Sequence, residues 1–269
     1  MMRFRGAFHA HSSFSYDGRD SLERLAGELR RRGFQFLLLT EHDDKLTSES
    51  FARVVASAAE LSSPEFLVIP GLEIRCWRRP REQWHIAALG LREWVPRGSI
   101  TEVVTAIQAA GGLAIFLHPY KHCASLNPAE LAIFDGIEVW NGKFDGFYAP
   151  RARTVRLFRA LPRKGRPPFF YCGHDLHAIE GIAPLALEVE SEALNVKSII
   201  AHLRHGHFCL EAPGGRFSCQ RGPNLWQSVY LHAMRAAYQG YRLGARLPLL
   251  GAALRKGRDT IRSDDPDDE

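Results

Sequence analysis

The side chains best suited to chemistry in this sequence are imidazoles and carboxylates placed where apolar runs end. His9 and His11 close the run that starts at Met2, and Asp17 follows after a Ser-rich stretch ended by Gly18. Side chains of an extended backbone repeat every second residue, so both imidazoles project to one side and can reach one ion. Asp17 can fold back onto the same point as a hard oxygen ligand. The pattern recurs along the chain. His42 follows residues 34–40, Glu73 follows 66–70, His85 opens 85–91, His118 follows 113–117, and Asp175 and His177 follow 169–172. Nine ligands exceed the four that one zinc usually takes and suit two or three ions held together. Imidazole and carboxylate without thiolate fit manganese, zinc or iron(II). A carboxylate can bridge two cations, and Glu73 is assigned that role.

Elements must bring these residues together. Asp20 and Ser21 cap an apolar face at Leu22, Leu25, Ala26 and Leu29 that Gly33 ends, which predicts a helix. Further helices are expected at 47–61, 99–110, about 149–161 and 196–205. Strands are expected at 2–9, 34–40, 66–70, 85–91, 113–117, 136–140, 169–172 and 208–211, with a basic loop at 75–81. Strands alternating with helices argue for a parallel α/β sheet, closed or nearly so, whose strand ends converge on one mouth. The core domain is expected to span residues 1–211. Residues 212–269 are read as a Gly-rich connection, a basic helical extension from Leu225 to about Arg262, and an acidic tail from Asp264 to Glu269.

Composition limits what such a chain can be. With 45% hydrophobic and 24% charged residues in 269, it can bury a substantial core. Its five cysteines are odd in number, widely spaced and form no C-x-x-C, which argues against a disulfide framework and a structural zinc knuckle. A reducing cytoplasm is expected, with neither a secretion signal nor a membrane span. The net charge of +5 fits an anionic substrate or a short oligonucleotide without requiring either, and nothing fixes an oligomeric state. Basic residues concentrate at Arg151, Arg153, Arg156, Arg159, Arg163, Lys164 and Arg166 and again beyond Arg235. The C-terminal helix either packs on the core, or lies on an anionic membrane surface or guides nucleic acid to the mouth.

The motif set resembles the PHP (polymerase and histidinol phosphatase) superfamily of metal-dependent phosphoesterases. H-x-H-S-x-x-S-x-D-G matches His9 to Gly18, and a T-D-H-D-type motif appears as Thr40-Glu41-His42-Asp43. G-x-E is Gly71-Leu72-Glu73, the strand-opening histidine is His85, H-P is His118-Pro119, and Gly173-His174-Asp175-Leu176-His177 stands where G-S-D-A-H is usual. The resemblance covers residues 4 to about 211. It implies a distorted seven-stranded (β/α) barrel, a trinuclear site and hydrolysis of a phosphate ester. Glu41 replaces the commoner Asp beside the ligand His42, and His174 replaces a small Ser beside the last two ligands.

On this reading water activated by the ions attacks phosphorus in line, and no nucleophilic side chain is needed. Glu73 and Asp175 serve the reaction through the ions. His174 and His122 are candidate proton donors to the leaving group. Arg75, Lys121 and Lys143 follow strand ends and are candidates to orient a small phosphorylated substrate or a short oligonucleotide. The rival readings are an amidohydrolase-like enzyme acting on a non-phosphate substrate and a nucleic-acid-associated metal-binding module.

Overall fold

The computed structural model describes residues 1–80, 82–122, 126–161 and 168–244. In chain order the elements are β1 (Met2–Phe8), α1 (Leu22–Arg31), β2 (Phe36–Leu38), β3 (Glu41–His42), α2 (Ser48–Leu61), β4 (Leu67–Ile69), β5 (Gly71–Arg79) and β6 (Glu82–Leu89). They continue with α3 (Ile100–Ala109), β7 (Leu113–Leu117), β8 (Gly136–Asn141), the single turn α4 (Gly142–Asp145), α5 (Ala152–Arg159) and β9 (Phe169–Gly173). The last are β10 (Ala186–Ser191), α6 (Val196–His205), β11 (Phe208–Ala212), β12 (Gly215–Ser218) and α7 (Leu225–Gly244).

Local chemistry sets the helix starts. The Ser21 side chain accepts from Arg24 N at α1, and reciprocal capping pairs Thr47 with Ser50 at α2 and Ser99 with Glu102 at α3. α1 then buries Leu22, Leu25, Ala26 and Leu29, the face read from the sequence.

The strands form a mixed α/β fold with two six-stranded sheets, ordered β12-β11-β10-β1-β2-β4 and β3-β5-β6-β7-β8-β9. Five of the pairings are antiparallel: β1–β10, β10–β11, β11–β12, β5–β6 and β6–β7. The expected parallel sheet is therefore mixed. Only residues 80 and 81 separate β5 from β6, too few for a crossover, and strands so closely linked can pair only antiparallel. This hairpin also corrects the basic loop at 75–81, because β5 runs on to Arg79 with its backbone paired against β6. β10 was not expected. Its sequence ALEVES alternates apolar and acidic residues, a weaker signal than an apolar run, yet it lies between β1 and β11.

The two sheets meet at the C-terminal end of β1. The chain passes from β2 into β3 through Leu39 and Thr40 and from β4 into β5 through Pro70. Beyond β9, His174 N donates to Phe8 O (2.8 Å), Leu176 N to His9 O (3.1 Å) and His11 N to Leu176 O (2.8 Å), while Thr40 N donates to Ala10 O (2.9 Å). Phe8, Leu38, Ile74, Ile86, Phe116 and Tyr171 are buried in one continuous core. Trp140 is core too, its indole N–H donating to Gly146 O (2.9 Å).

Four cysteines among the described residues, Cys76, Cys172, Cys209 and Cys219, are free thiols, in line with the expected lack of a disulfide framework. No helix among these residues is long and apolar enough to cross a membrane. Cys123, Arg163, Lys164, Arg166 and everything from Arg246 through the acidic tail lie outside the described residues.

Candidate metal centre

Three of the nine candidate ligands sit where a strand turns sharply. His9, His118 and Asp175 have φ of 65°, 52° and 54°, the left-handed region that ordinary side chains avoid. Each such position costs about 1–3 kcal/mol and persists only where surrounding structure enforces it. The turn re-aims each side chain at the point where the sheets meet.

Glu73 is the hub. It is buried on β5 with its Oε2 3.0 Å from His9 Nε2 and 3.3 Å from His11 Nε2. Its Oε1 faces His118 Nε2 at 3.2 Å and hydrogen-bonds His85 Nδ1. His42 Nδ1 lies 3.7 Å from Oε2. Asp175 Oδ1 is 3.8 Å from His9 Nε2 and 3.9 Å from His11 Nε2, and Oδ2 is 3.8 Å from His118 Nδ1. Asp17 closes the outer side, 3.4 Å from His42 Nε2 and 3.1 Å from His177 Nε2. Four overlapping triads result, each with its ligand atoms mutually within 4.8 Å: His11, His42 and His177; His9, His11 and Glu73; His9, His118 and Asp175; Glu73, His85 and His118. All nine residues singled out in the sequence are thus brought to one place.

The electrostatics of the cluster suit cations. Burial disfavours charge on Glu73, but the imidazoles of His11, His118, His85 and His9 gathered around it hold it well below the usual carboxylate range. Asp175, likewise buried, is held low by His9 and His118. Burial also opposes charge on His9, yet Glu138 and Asp175 raise it well above an ordinary histidine. Burial takes His11 down to about 3 and lowers His42. His11 Nδ1, His11 Nε2 and Asp17 Oδ1 are buried without a hydrogen-bond partner. Buried polar atoms left bare are costly, and these point into a cluster of carboxylates and neutral imidazoles, so the residues present fit divalent cations.

These shifts carry a pH signature. His9, raised above 6.5, adds stability below that pH which is lost as pH rises through its folded value. His11, at about 3, refuses a proton that the unfolded chain takes, so stability falls as pH drops from 6.5 towards 3. Chelator-treated protein should therefore melt highest near pH 6.5, and His11→Asn should flatten the acid side of the Tm profile. An acid limb unaltered by that substitution would contradict the assignment.

Sequence reasoning missed Glu138 and Asn141. Glu138 is fully buried on β8. Its Oε1 is 2.6 Å from His9 Nδ1, and its Oε2 accepts from His118 N (3.2 Å) and Asn141 Nδ2 (3.0 Å). Asn141 Nδ2 also reaches His118 Nδ1 (3.3 Å) and Asp175 Oδ2 (3.2 Å). The signal was present, since a lone acid in the apolar run Gly-Ile-Glu-Val-Trp must find partners. Gly173 makes room for it, because a Cβ there would lie 2.1 Å from Glu138 Oε1 and 2.9 Å from His9 Cβ. Gly173→Ala should destabilise the protein by about 1–3 kcal/mol and weaken metal retention, measured by denaturation and by elemental analysis. Glu41 lies behind the ligands, accepting from Ser12 N (3.0 Å) and from the Ser12 and Ser15 hydroxyls, with burial pushing it up to about 7.

The other candidates are dispersed. Lys143 Nζ stands 3.5 Å from Asp175 Oδ1 and 3.3 Å from His177 Nδ1, beside the cluster. Arg75 pairs across the hairpin with His85 and is bonded to Asp44. Lys121 has its ammonium 5.2 Å from the Phe144 ring centre. His122 is 3.6 Å from Glu82 Oε1 and packs beside Trp84 and Phe116. His174 is not brought to the cluster. Its ring nitrogens face Phe8 O (3.2 Å) and Ala183 O (3.1 Å), and burial lowers it to about 4.

No protein-family profile matches the sequence, and no curated protein does. Among solved structures, the chain resembles a two-domain protein from Bacteroides vulgatus containing a predicted PHP-like metal-dependent phosphoesterase. The TM-score is 0.59 at 16% identity, over 87% of this chain and 70% of that one. It also resembles PsfC from Pseudomonas syringae, with a TM-score of 0.54 at 15% identity, over 90% of this chain and 99% of that one. The fold is thus shared with a PHP-like protein, which bears out at the level of fold the resemblance read from the motifs.

Proposed function

We propose that this chain is a divalent-cation-dependent phosphoesterase that hydrolyses a phosphomonoester, a nucleotide or a short oligonucleotide, with residues 1–211 carrying the catalytic unit. The observation that supports it most is the position of Glu73, one oxygen turned to His9 and His11 and the other to His85 and His118. A carboxylate so placed suits two cations on either side, and the His11, His42, His177 and Asp17 group suits a third. Manganese, zinc and iron all fit this donor set. When bound, such ions supply Lewis acidity towards a phosphoryl group and lower the pKa of water.

The protein's own groups do the rest. Glu138 holds His9 in one orientation, and Asn141 does the same for His118 and Asp175. Lys143 is within reach of a phosphate oxygen presented beside Asp175 and His177, and Arg75 and Lys121 are proposed to orient the rest of the substrate. We read the two sheets, joined through the backbone bonds around His9 and Thr40, as the distorted barrel that the motif resemblance implies.

Protein purified without chelator should contain more than one divalent ion per chain and cleave members of a panel of phosphomonoesters, nucleotides and short oligonucleotides. His9→Ala and Asp175→Ala should lower metal content and turnover together. One ion or fewer in a fully active protein would sink the multinuclear reading, and activity confined to amides in a parallel panel would move the enzyme out of this class.

A further inference from the structure

α7 has two faces of different character. Its inner face docks through Leu231, Arg235 and Tyr238. Leu231 is buried, Arg235 donates to Ala149 O (3.0 Å) and Asp145 O (3.4 Å), and the Tyr238 ring lies 4.7 Å from that of Tyr148. On the opposite side Trp226, Val229, Ala233, Ala236, Gly240 and Leu243 form an exposed stripe at helical spacing, with Trp226 80% and Leu243 65% exposed. None of the six is charged. Of the two readings of the C-terminal helix, packing on the core is the one Arg235 follows, since it donates to carbonyl oxygens inside the protomer.

The geometry points to this stripe as a homodimer interface, built from α7 of two copies of the chain packed antiparallel about a two-fold axis; the inference is independent of the proposed catalytic activity. Three observations carry it. An axis between Ala233 and Ala236 sets Ala233 against the second copy's Ala236, Val229 against its Gly240 and Trp226 against its Leu243. Small residues thus meet in the middle and larger side chains at the ends, a self-complementary surface of the kind a two-fold interface requires. Next, a Cβ at Gly240 would meet open space among the described residues, so none of them needs a glycine there, although it weakens a helix. Close approach of a second helix backbone supplies a reason. Finally, large aromatic side chains offer roughly 150–250 Å² each. With the flanking rings of Tyr230 and Tyr241 the stripe presents on the order of 700 Å², close to one partner's share of a standard interface. An uncharged stripe of this kind offers no cation to the phosphates of nucleic acid or of anionic lipid headgroups.

Sedimentation equilibrium of the full chain should give the mass of two chains, dissociating on dilution. Gly240→Leu places a better helix former where the lone protomer has room but the paired helices do not. It should raise the dissociation constant by more than about tenfold, with far-UV circular dichroism unchanged. Ala236→Arg should act in the same direction. A full chain that stays monomeric at every concentration overturns the inference, as does a dimer whose dissociation constant neither substitution alters. A monomer that floats with phosphatidylcholine–phosphatidylserine vesicles assigns the face to a lipid surface and likewise overturns it.

Discussion

Glu73→Gln should lower turnover by about 10²–10⁴-fold while the chain stays folded. The change keeps the volume and removes one negative charge at the centre of the buried cluster, where four imidazoles face the two oxygens. A loss of that size in turnover corresponds to about 2.7–5.4 kcal/mol of transition-state stabilisation, at about 1.36 kcal/mol for each factor of ten. Metal content should fall with turnover, because cations held close together repel each other unless a carboxylate lies between them. Steady-state kinetics and elemental analysis on the same preparation check both, with Tm as the control for folding. A Glu73→Gln protein that kept wild-type turnover and metal content would remove Glu73 from the site.

Glu138→Gln should reduce metal affinity or activity by about 10–100-fold, the usual cost of losing a group that orients a ligating histidine. Glu138 touches the cluster from behind, at His9 Nδ1, His118 N and, at 3.5 Å, His118 Nδ1. An amide can accept on one of these two sides, but it presents N–H groups on the other and withdraws the charge that helps raise His9. Competition with a chelator of known affinity gives the loss directly. The proton uncoupling is a separate readout, since metal uptake by the variant should release fewer protons from His9 than uptake by the parent. Equal affinity and equal proton release in the two proteins would reduce Glu138 to a buried packing acid.

Gly173 links these two expectations. It lies at the end of β9 with no side chain, and that is what allows the Glu138 carboxylate and the His9 ring to meet above it. A methyl group there acts on the same pair without altering either residue. If Glu73 and Glu138 act as argued, Gly173→Ala should resemble Glu138→Gln in metal retention more than it resembles a substitution elsewhere in the core.

By itself the sequence determined which residues form the cluster, because each lies where an apolar run ends and a loop begins, and backbone alternation decides which side chains share a face. It also determined the helix starts, which depend on hydrogen bonds within four residues, as at Ser21, Thr47 and Ser99. Strand direction was decided only in the tertiary structure. An apolar run reads the same whether its ladder is parallel or antiparallel, so the mixed pairing of β1 with β10 and of β5 with β6 is fixed by which edges meet. Glu138 and Asn141 gained their roles in the same way, through neighbours distant in sequence: His9 lies 129 residues from Glu138. His174 was read beside the ligands because it adjoins Asp175, but alternation at the end of β9 sends its ring between the carbonyls of Phe8 and Ala183. The outer face of α7 is the reverse case. Its apolar spacing was legible from Leu225 onward, but which side is covered depended on where Leu231 and Arg235 found partners in the folded protomer.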